Sequence, residues 1–335
     1  MSSETATHPD SASLPAPREA AVEPAPPPPP DTESSSIGWY DRAKFAAVRW
    51  FLWAWTRVFS LRGLFVLGQT FGTIEYTLNF RRRRRYRDEL RTIFGDTLTR
   101  RRQNAIIRRS FRRTRCDKLF YLVFDFLPRE KILKRIKFPR RAELDAALAR
   151  GRGVYVMISH QGSHHVAGVL MALMGYKCAG VRDRNEGPLR RYMQEMYTKT
   201  FPEFAGIRVL YADSFPRDIY RCFQENRVVA SALDVSRVRG LTLKTVPVDF
   251  FNERREWLIG TLQVALRSKA VITQGFVVSR KNFYFRLVMN EPLYIPPDSA
   301  ERGGESPELV AELMQKYADG IAAHIRKHPD HLSRA

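Results

Sequence analysis

The chain has 335 residues, 44% of them hydrophobic, and a formal net charge of +21 at pH 7. That length fits one large domain with an appendage, or two domains, and the apolar share is enough for a sizeable core. So basic a balance excludes an acidic surface and calls for an anionic partner, either nucleic acid or a membrane, while three scattered cysteines (Cys116, Cys178 and Cys222) argue against a disulfide framework or a zinc knuckle.

Residues 1–36 hold nine of the 20 prolines, including the run Pro26 to Pro30. Such a segment cannot bury enough apolar surface to offset its ordering entropy, so a disordered tail is expected there. It contains no apolar stretch of the length that a signal peptide needs. From Trp39 to Phe80 the composition changes to large apolar and aromatic residues, interrupted by Arg49, Arg57 and Arg62. A spanning helix needs about 20 predominantly apolar residues, and no window here supplies them without a charge. Trp, Tyr and snorkelling Arg suit the membrane–water boundary, so an interfacial or re-entrant helical hairpin is expected. The alternative is that these aromatics pack on the remainder of the protein.

Arg81 to Arg85 follow directly, and residues 81–115 hold 15 Arg against three acidic residues, Asp88, Glu89 and Asp96. A polybasic run beside an apolar segment is attracted to anionic headgroups on the cytoplasmic side. Nucleic acid is the rival partner, but no zinc finger, ribonucleoprotein motif or stacking platform accompanies these arginines, so no nucleic-acid partner is expected. Beyond about Arg140 helix and strand patterns alternate. Helices are expected over 141–150, 166–174, 187–199, 214–225, 256–268 and 306–327. Strands are expected over 154–159, 178–182, 207–211, 228–233 and 245–251, with a strand pair over 271–278 and 283–289. Short buried strands between helices predict an α/β fold: a mainly parallel sheet flanked by helices, after a helical membrane-binding region. The expected division is therefore a tail (1–36), a basic helical membrane-association region (37–139) and an α/β domain (140–332).

The sharpest local feature is Ser159-His160-Gln161-Gly162-Ser163-His164-His165, directly after the strand 154–159. Ligands of open α/β sheets bind beyond the carboxyl ends of strands, so His160 stands where a catalytic base is expected. Gly162 permits a tight turn or close substrate approach. Ser163 can cap the next helix, whose N-terminus favours a developing oxyanion. His164 falls in the same substrate-facing stretch. His160 and His164 also have the i, i+4 spacing of a zinc pair, but His160 belongs to the strand end and no acid lies between them. Arg182 and Arg184, beyond another strand, could hold phosphate groups, as could Arg237 and Arg239 with weaker support. Val166, Val169 and Leu170 could line an apolar groove, although core packing is the expected use of such residues.

The stretch GRGVYVMISHQGSHH (151–165) resembles the signature of the bacterial lipid A biosynthesis (lauroyl/myristoyl) acyltransferase family. Val181-Arg182, Asn185, Pro188-Leu189, Val246 to Phe251 and Ile325 to Pro329 are similar to further family segments in the same order, over roughly residues 40–332. The resemblance implies a glycerolipid acyltransferase-like fold at the cytoplasmic face of the bacterial inner membrane. The implied reaction moves a fatty acyl group from a thioester, on acyl carrier protein or CoA, to a hydroxyl of a glycolipid or lysolipid. A lipid A-type acceptor is favoured, His160 is the general base, and no cofactor is implied. One departure stands out. His165 occupies the position at which the family carries the acid that orients the histidine. An imidazole there can orient His160 but cannot neutralise its developing charge. Asp234, at the end of a neighbouring strand, is the candidate substitute. Otherwise the chain is an inactive or weak lipid-binding relative.

Overall fold

A computed structural model describes residues 37–182, 187–211, 216–236, 243–297 and 305–332. The proline-rich segment 1–36, expected to be disordered, lies outside the described residues, as do Arg184, Asn185, Arg237 and Arg239.

The expected fold class is met. A seven-stranded sheet has the order β1-β9-β8-β2-β5-β3-β4. Its strands are β1 (Ile136–Lys137), β2 (Val154–Ile158), β3 (Cys178–Arg182), β4 (Arg208–Tyr211), β5 (Val228–Ala232), β8 (Val271–Arg280) and β9 (Tyr284–Met289). β8, β2, β5, β3 and β4 run parallel, whereas β9 reverses against β8 and β1 lies parallel to β9. A separate antiparallel hairpin joins β6 (Thr245–Phe250) to β7 (Glu253–Leu258).

That hairpin corrects the helix expected over 256–268. The helix α9 begins only at Gly260 and ends at Arg267. Glu253 to Leu258 pair with β6 instead, and buried Trp257 packs against Phe250 at 5.1 Å and Tyr317 at 5.5 Å between ring centroids. Cross-strand pairing and aromatic burial outweigh the helical tendency of the Arg/Glu-rich sequence.

Helices cover both faces of the sheet. On the face carrying Tyr155, Met157, Val229 and Ile272 pack α8 (Pro216–Gln224), α9 and α10 (Pro307–Lys327). Opposite them lie α5 (Arg141–Ala149), α6 (Ala167–Leu173) and α7 (Pro188–Thr200). The helices that precede the sheet are α1 (Trp39–Leu78), α2 (Phe80–Phe94), α3 (Arg100–Val123) and the short α4 (Arg129–Leu133). Of these, α1, α4 and the C-terminal half of α3 pack on the face of α6 and α7, whereas Tyr86 and Leu90 of α2 and Ile106, Ile107 and Phe111 of α3 join the core of α8, α9 and α10.

Two helical stretches make up α1, and they meet at a break at Ser60, where φ is 59°. Its second half runs antiparallel to α3. Gly68 and Gly72 permit this. A Cβ on Gly68 would stand 3.0 Å from the Cys116 Cα, and one on Gly72 would stand 2.4 Å from the Arg112 Cα. Small residues four apart let two helix backbones approach this closely. The first half of α1 reaches the far end of α3, where buried Arg49 pairs with Asp125 at 2.7 Å. No described helix is long and apolar enough to cross a membrane. Among the described residues, twelve of the sixteen exposed large hydrophobic ones nevertheless lie on α1, with Trp39 at 82%, Val58 at 74% and Trp50 at 69% exposure. Some aromatics of α1 do pack inward, as Phe65 does on Phe283. The bulk remain uncovered, and a patch of that extent marks an interaction surface.

Gly72→Ala should force α1 and α3 apart. A loss of about 1–3 kcal/mol is expected in chemical denaturation, and a variant as stable as the parent would contradict this packing.

Candidate active site

The register of β2 and β5 builds the site. Ile158 pairs with Ala232, so His160 and Asp234 stand at matching positions two residues beyond their strands. His160 Nδ1 lies 2.6 Å from Asp234 Oδ1. The same carboxylate accepts the His160 backbone N–H, at 3.0 Å to Oδ2. The Asp234 side chain is 5% exposed and that of His160 is 29% exposed. A carboxylate so sheltered from water interacts strongly with what it touches. It favours the tautomer with the proton on Nδ1 and holds the ring in one orientation. Behind the pair, the fully buried Tyr317 of α10 donates its hydroxyl to the Ile158 carbonyl at 2.6 Å and accepts the Leu233 N–H at 3.3 Å. It thereby ties the two strand ends together.

The loop after His160 is held from three sides. Gly162 has φ +69°, and its N–H donates to the His331 carbonyl at 2.8 Å. A Cβ there would stand 2.7 Å from the His331 ring, so both the conformation and the space require glycine. Ser163 is wholly buried, and its hydroxyl donates to Asp117 Oδ2 of α3 at 2.5 Å. Asp117 also accepts from Arg113 at 3.1 Å and from the Ser279 hydroxyl at 3.2 Å. The Ser163 N–H donates to the Val277 carbonyl at 3.3 Å. These contacts correct the expectation that Gly162 and Ser163 touch substrate. Both backbone donors are already used within the protein, the Ser163 side chain makes no helix cap, and both residues shape the loop.

The histidines also divide their roles differently from the sequence expectation. His164 lies edge-on to His160 with ring centroids 5.5 Å apart. His165 packs edge-on against Tyr121 and against His164, each at 5.8 Å. His165 therefore does not orient His160; Asp234 occupies that position. Burial lowers the pKa of both, well below the usual histidine range for His164, where the neighbouring His165 and His160 add to the effect. At His165, Asp117 opposes the burial in part. Both are neutral near pH 7. Among the described residues, His164 Nδ1 and His165 Nε2 are buried without a hydrogen-bond partner, and no three metal-binding side chains gather to hold an ion.

A cavity of about 1680 Å³ opens on His160. Its floor is one face of the sheet, where Gly180, Ala230, Ala232 and Gly275 are small, and its wall includes Gly168, Val169 and Met171 of α6. Typical small-ligand pockets span about 300–1,000 Å³, so there is space for a long apolar group beside the histidine. Val169 lines it, whereas Val166 and Leu170 are fully buried in the core. Arg182 also lines it, with Nη1 3.4 Å from Gln194 Oε1 on α7.

Three participants escaped the sequence reading. Arg190 lines the cavity and acts against protonation of both His164 and His165, yet nothing in the sequence separates it from the other arginines. Tyr317 lies 157 residues from His160 on a helix that reads as ordinary core. Asp117 gave a usable signal, because it is a lone acid within the basic helix α3.

Residues 42–332 match the bacterial lipid A biosynthesis acyltransferase family. The chain belongs to that family. A search of the curated proteins finds no match. Family members transfer acyl groups to a lipid acceptor and are membrane-associated, which suits the apolar surface of α1.

The C-terminal histidines that brace the loop predict acid sensitivity. Buried His324 stacks on Phe276 at 4.0 Å and contacts His331 at 3.1 Å between ring nitrogens. Burial, with His328 adding to it, pushes His324 down to about 3, and His331 is lowered further. Above a pH of about 6.5 folded and unfolded chains are both neutral at these positions. Below it the unfolded chain takes up protons that the folded chain refuses, so stability falls as pH drops from about 6.5 toward 4. Urea midpoints at pH 7 and pH 5 should show this loss, reduced in His324→Gln. An equal loss in that variant would contradict the assignment.

Proposed function

We propose that the protein transfers a fatty acyl group from a thioester, on acyl carrier protein or CoA, to a hydroxyl of a membrane glycolipid or lysolipid. A lipid A-type acceptor at the cytoplasmic face of the bacterial inner membrane is favoured. What supports the reading is the His160–Asp234 pair opening on a large cavity with an apolar floor, within a chain of an acyltransferase family.

With Nδ1 donated to Asp234, His160 Nε2 is the base nitrogen. It takes the proton of the acceptor hydroxyl as the oxygen attacks the thioester carbonyl carbon. The tetrahedral oxyanion collapses, the C–S bond breaks, and the thiol leaves with the proton returned by the imidazolium. Asp234 stabilises that imidazolium as the acid of a serine-type triad does. The acyl chain lies along the small-residue face of the sheet. Arg182 and Arg190, at the cavity wall, meet phosphate groups of donor or acceptor. His164 and His165 remain neutral and bound the pocket. No cofactor enters this chemistry. The exposed apolar side of α1 and the arginines of α2 hold the protein on an anionic membrane without spanning it.

His160→Ala should lower transfer of a labelled acyl group from acyl carrier protein or CoA by about a thousandfold. Full activity in that variant would overturn the reading. His165→Glu separates the two candidate acids. It places a carboxylate in a buried site near Asp117, so the melting temperature should fall and the rate should not rise. A gain of about tenfold or more would show that the native pair is incomplete.

A further inference from the structure

A second cleft, of about 700 Å³, lies between α1 and the turn that joins β8 to β9. Three cations line it: Arg62, Arg112 and Lys281. No carboxylate lines it, and among the described residues none pairs with these three side chains. Several other arginines that pack with α1 are treated differently. Arg49 pairs with Asp125, and Arg82 and Arg115 share Glu75. Unneutralised cations gathered in one concavity repel one another, and an anion relieves that repulsion.

The cleft is built by the fold. Arg112 is held by the Thr73 hydroxyl, which accepts from its Nε at 2.8 Å. Lys281 and Asn282 sit on a turn in which Asn282 and Phe283 both have positive φ, 58° and 60°. A left-handed phenylalanine is costly, and such a conformation persists only where its surroundings impose it. Here Phe283 is buried between Phe65 of α1 and Phe120 of α3, at 5.5 and 5.2 Å. Packing of that ring therefore fixes where Lys281 is presented. The hydroxyls of Thr70 and Thr73 and the amide of Asn282 add neutral hydrogen-bonding groups to the lining.

Its position joins it to the membrane and to the active site. β8 runs parallel to β2 and continues past its end, so the Lys281 turn lies at the same edge of the sheet as His160. Phe65 and Val66 line the cleft, and Val58, Phe59 and Val66 are exposed along the same helix. A phosphate held by the cations would thus carry its hydrocarbon chains beside the apolar side of α1.

We propose that this cleft binds the phosphate of an anionic membrane lipid, distinct from the thioester at His160, and sets the depth and orientation of the protein on the bilayer. The proposal rests on the membrane reading above.

Sedimentation with full-length protein tests it, using phosphatidylcholine vesicles that carry either phosphatidic acid or oleate at matched surface charge. Arg112→Gln/Lys281→Gln should weaken binding to phosphatidic acid vesicles about tenfold or more, and to oleate vesicles only about twofold. Arg152→Gln/Lys177→Gln removes the same charge at the opposite edge of the sheet and should change both by less than about twofold. Lys281→Gln alone alters an exposed side chain and should show the same lipid selectivity at smaller size, so the test survives if the double variant misfolds. Soluble inorganic phosphate should not displace the protein from vesicles. Equal losses on the two vesicle types, or displacement by inorganic phosphate, overturn the lipid cleft alone. Wild-type protein that binds neither vesicle overturns the membrane reading and the cleft together.

Discussion

The structure turns on one carboxylate at the end of a strand. Asp234 is removed from water, and burying a carboxylate without partners is costly. It therefore needs donors, and His160 supplies two, its backbone N–H and its ring. This requires the ends of β2 and β5 to stay in register, which Tyr317 secures from the opposite face of the sheet. A slip of one residue would turn every side chain to the wrong face and separate the pair. The chemistry assigned to His160 thus depends on strand pairing more than on the local motif.

The loop of the motif is equally dependent on distant parts of the chain. Ser163 binds Asp117 on α3, and Gly162 binds the carbonyl of His331 near the C-terminus. α3 in turn packs against α1 through Gly68 and Gly72. The helix with the exposed apolar surface and the loop with the histidine are therefore two packing contacts apart. That arrangement would suit the proposed transfer to a lipid acceptor at a bilayer surface, because the helix proposed to rest on the membrane also braces the loop of His160.

Much of this was legible in the sequence, and the limits have physical causes. The alternation of short apolar runs and amphipathic helices gave the parallel sheet, because buried strands cannot hide their composition. The position of His160 followed from its place after a strand. Asp234 could be named as a candidate because it also follows a strand, but only the parallel register shows that the two residues face each other. The strand β6 is legible, but the end of β7, Glu256 to Leu258, reads as the start of a helix because its stability comes from cross-strand contacts of Trp257 and Phe250, which local propensity does not report. Ser163 and Gly162 looked like substrate contacts, since the sequence does not reveal Asp117 and His331 lying against them. Likewise the kink at Ser60 reflects packing along α3 and α7, with no proline or glycine at that position to signal it.

The central claim is that Asp234, and not His165, completes the catalytic pair. Initial rates of acyl transfer by Asp234→Asn and His165→Gln, each shown folded by circular dichroism, test it most directly. The account predicts that Asp234→Asn lowers kcat by about 10²–10⁴-fold with little change in KM, because the amide favours the wrong imidazole tautomer, and that His165→Gln stays within about tenfold of the parent. Near-parental turnover in Asp234→Asn, with activity abolished in His165→Gln, would contradict it.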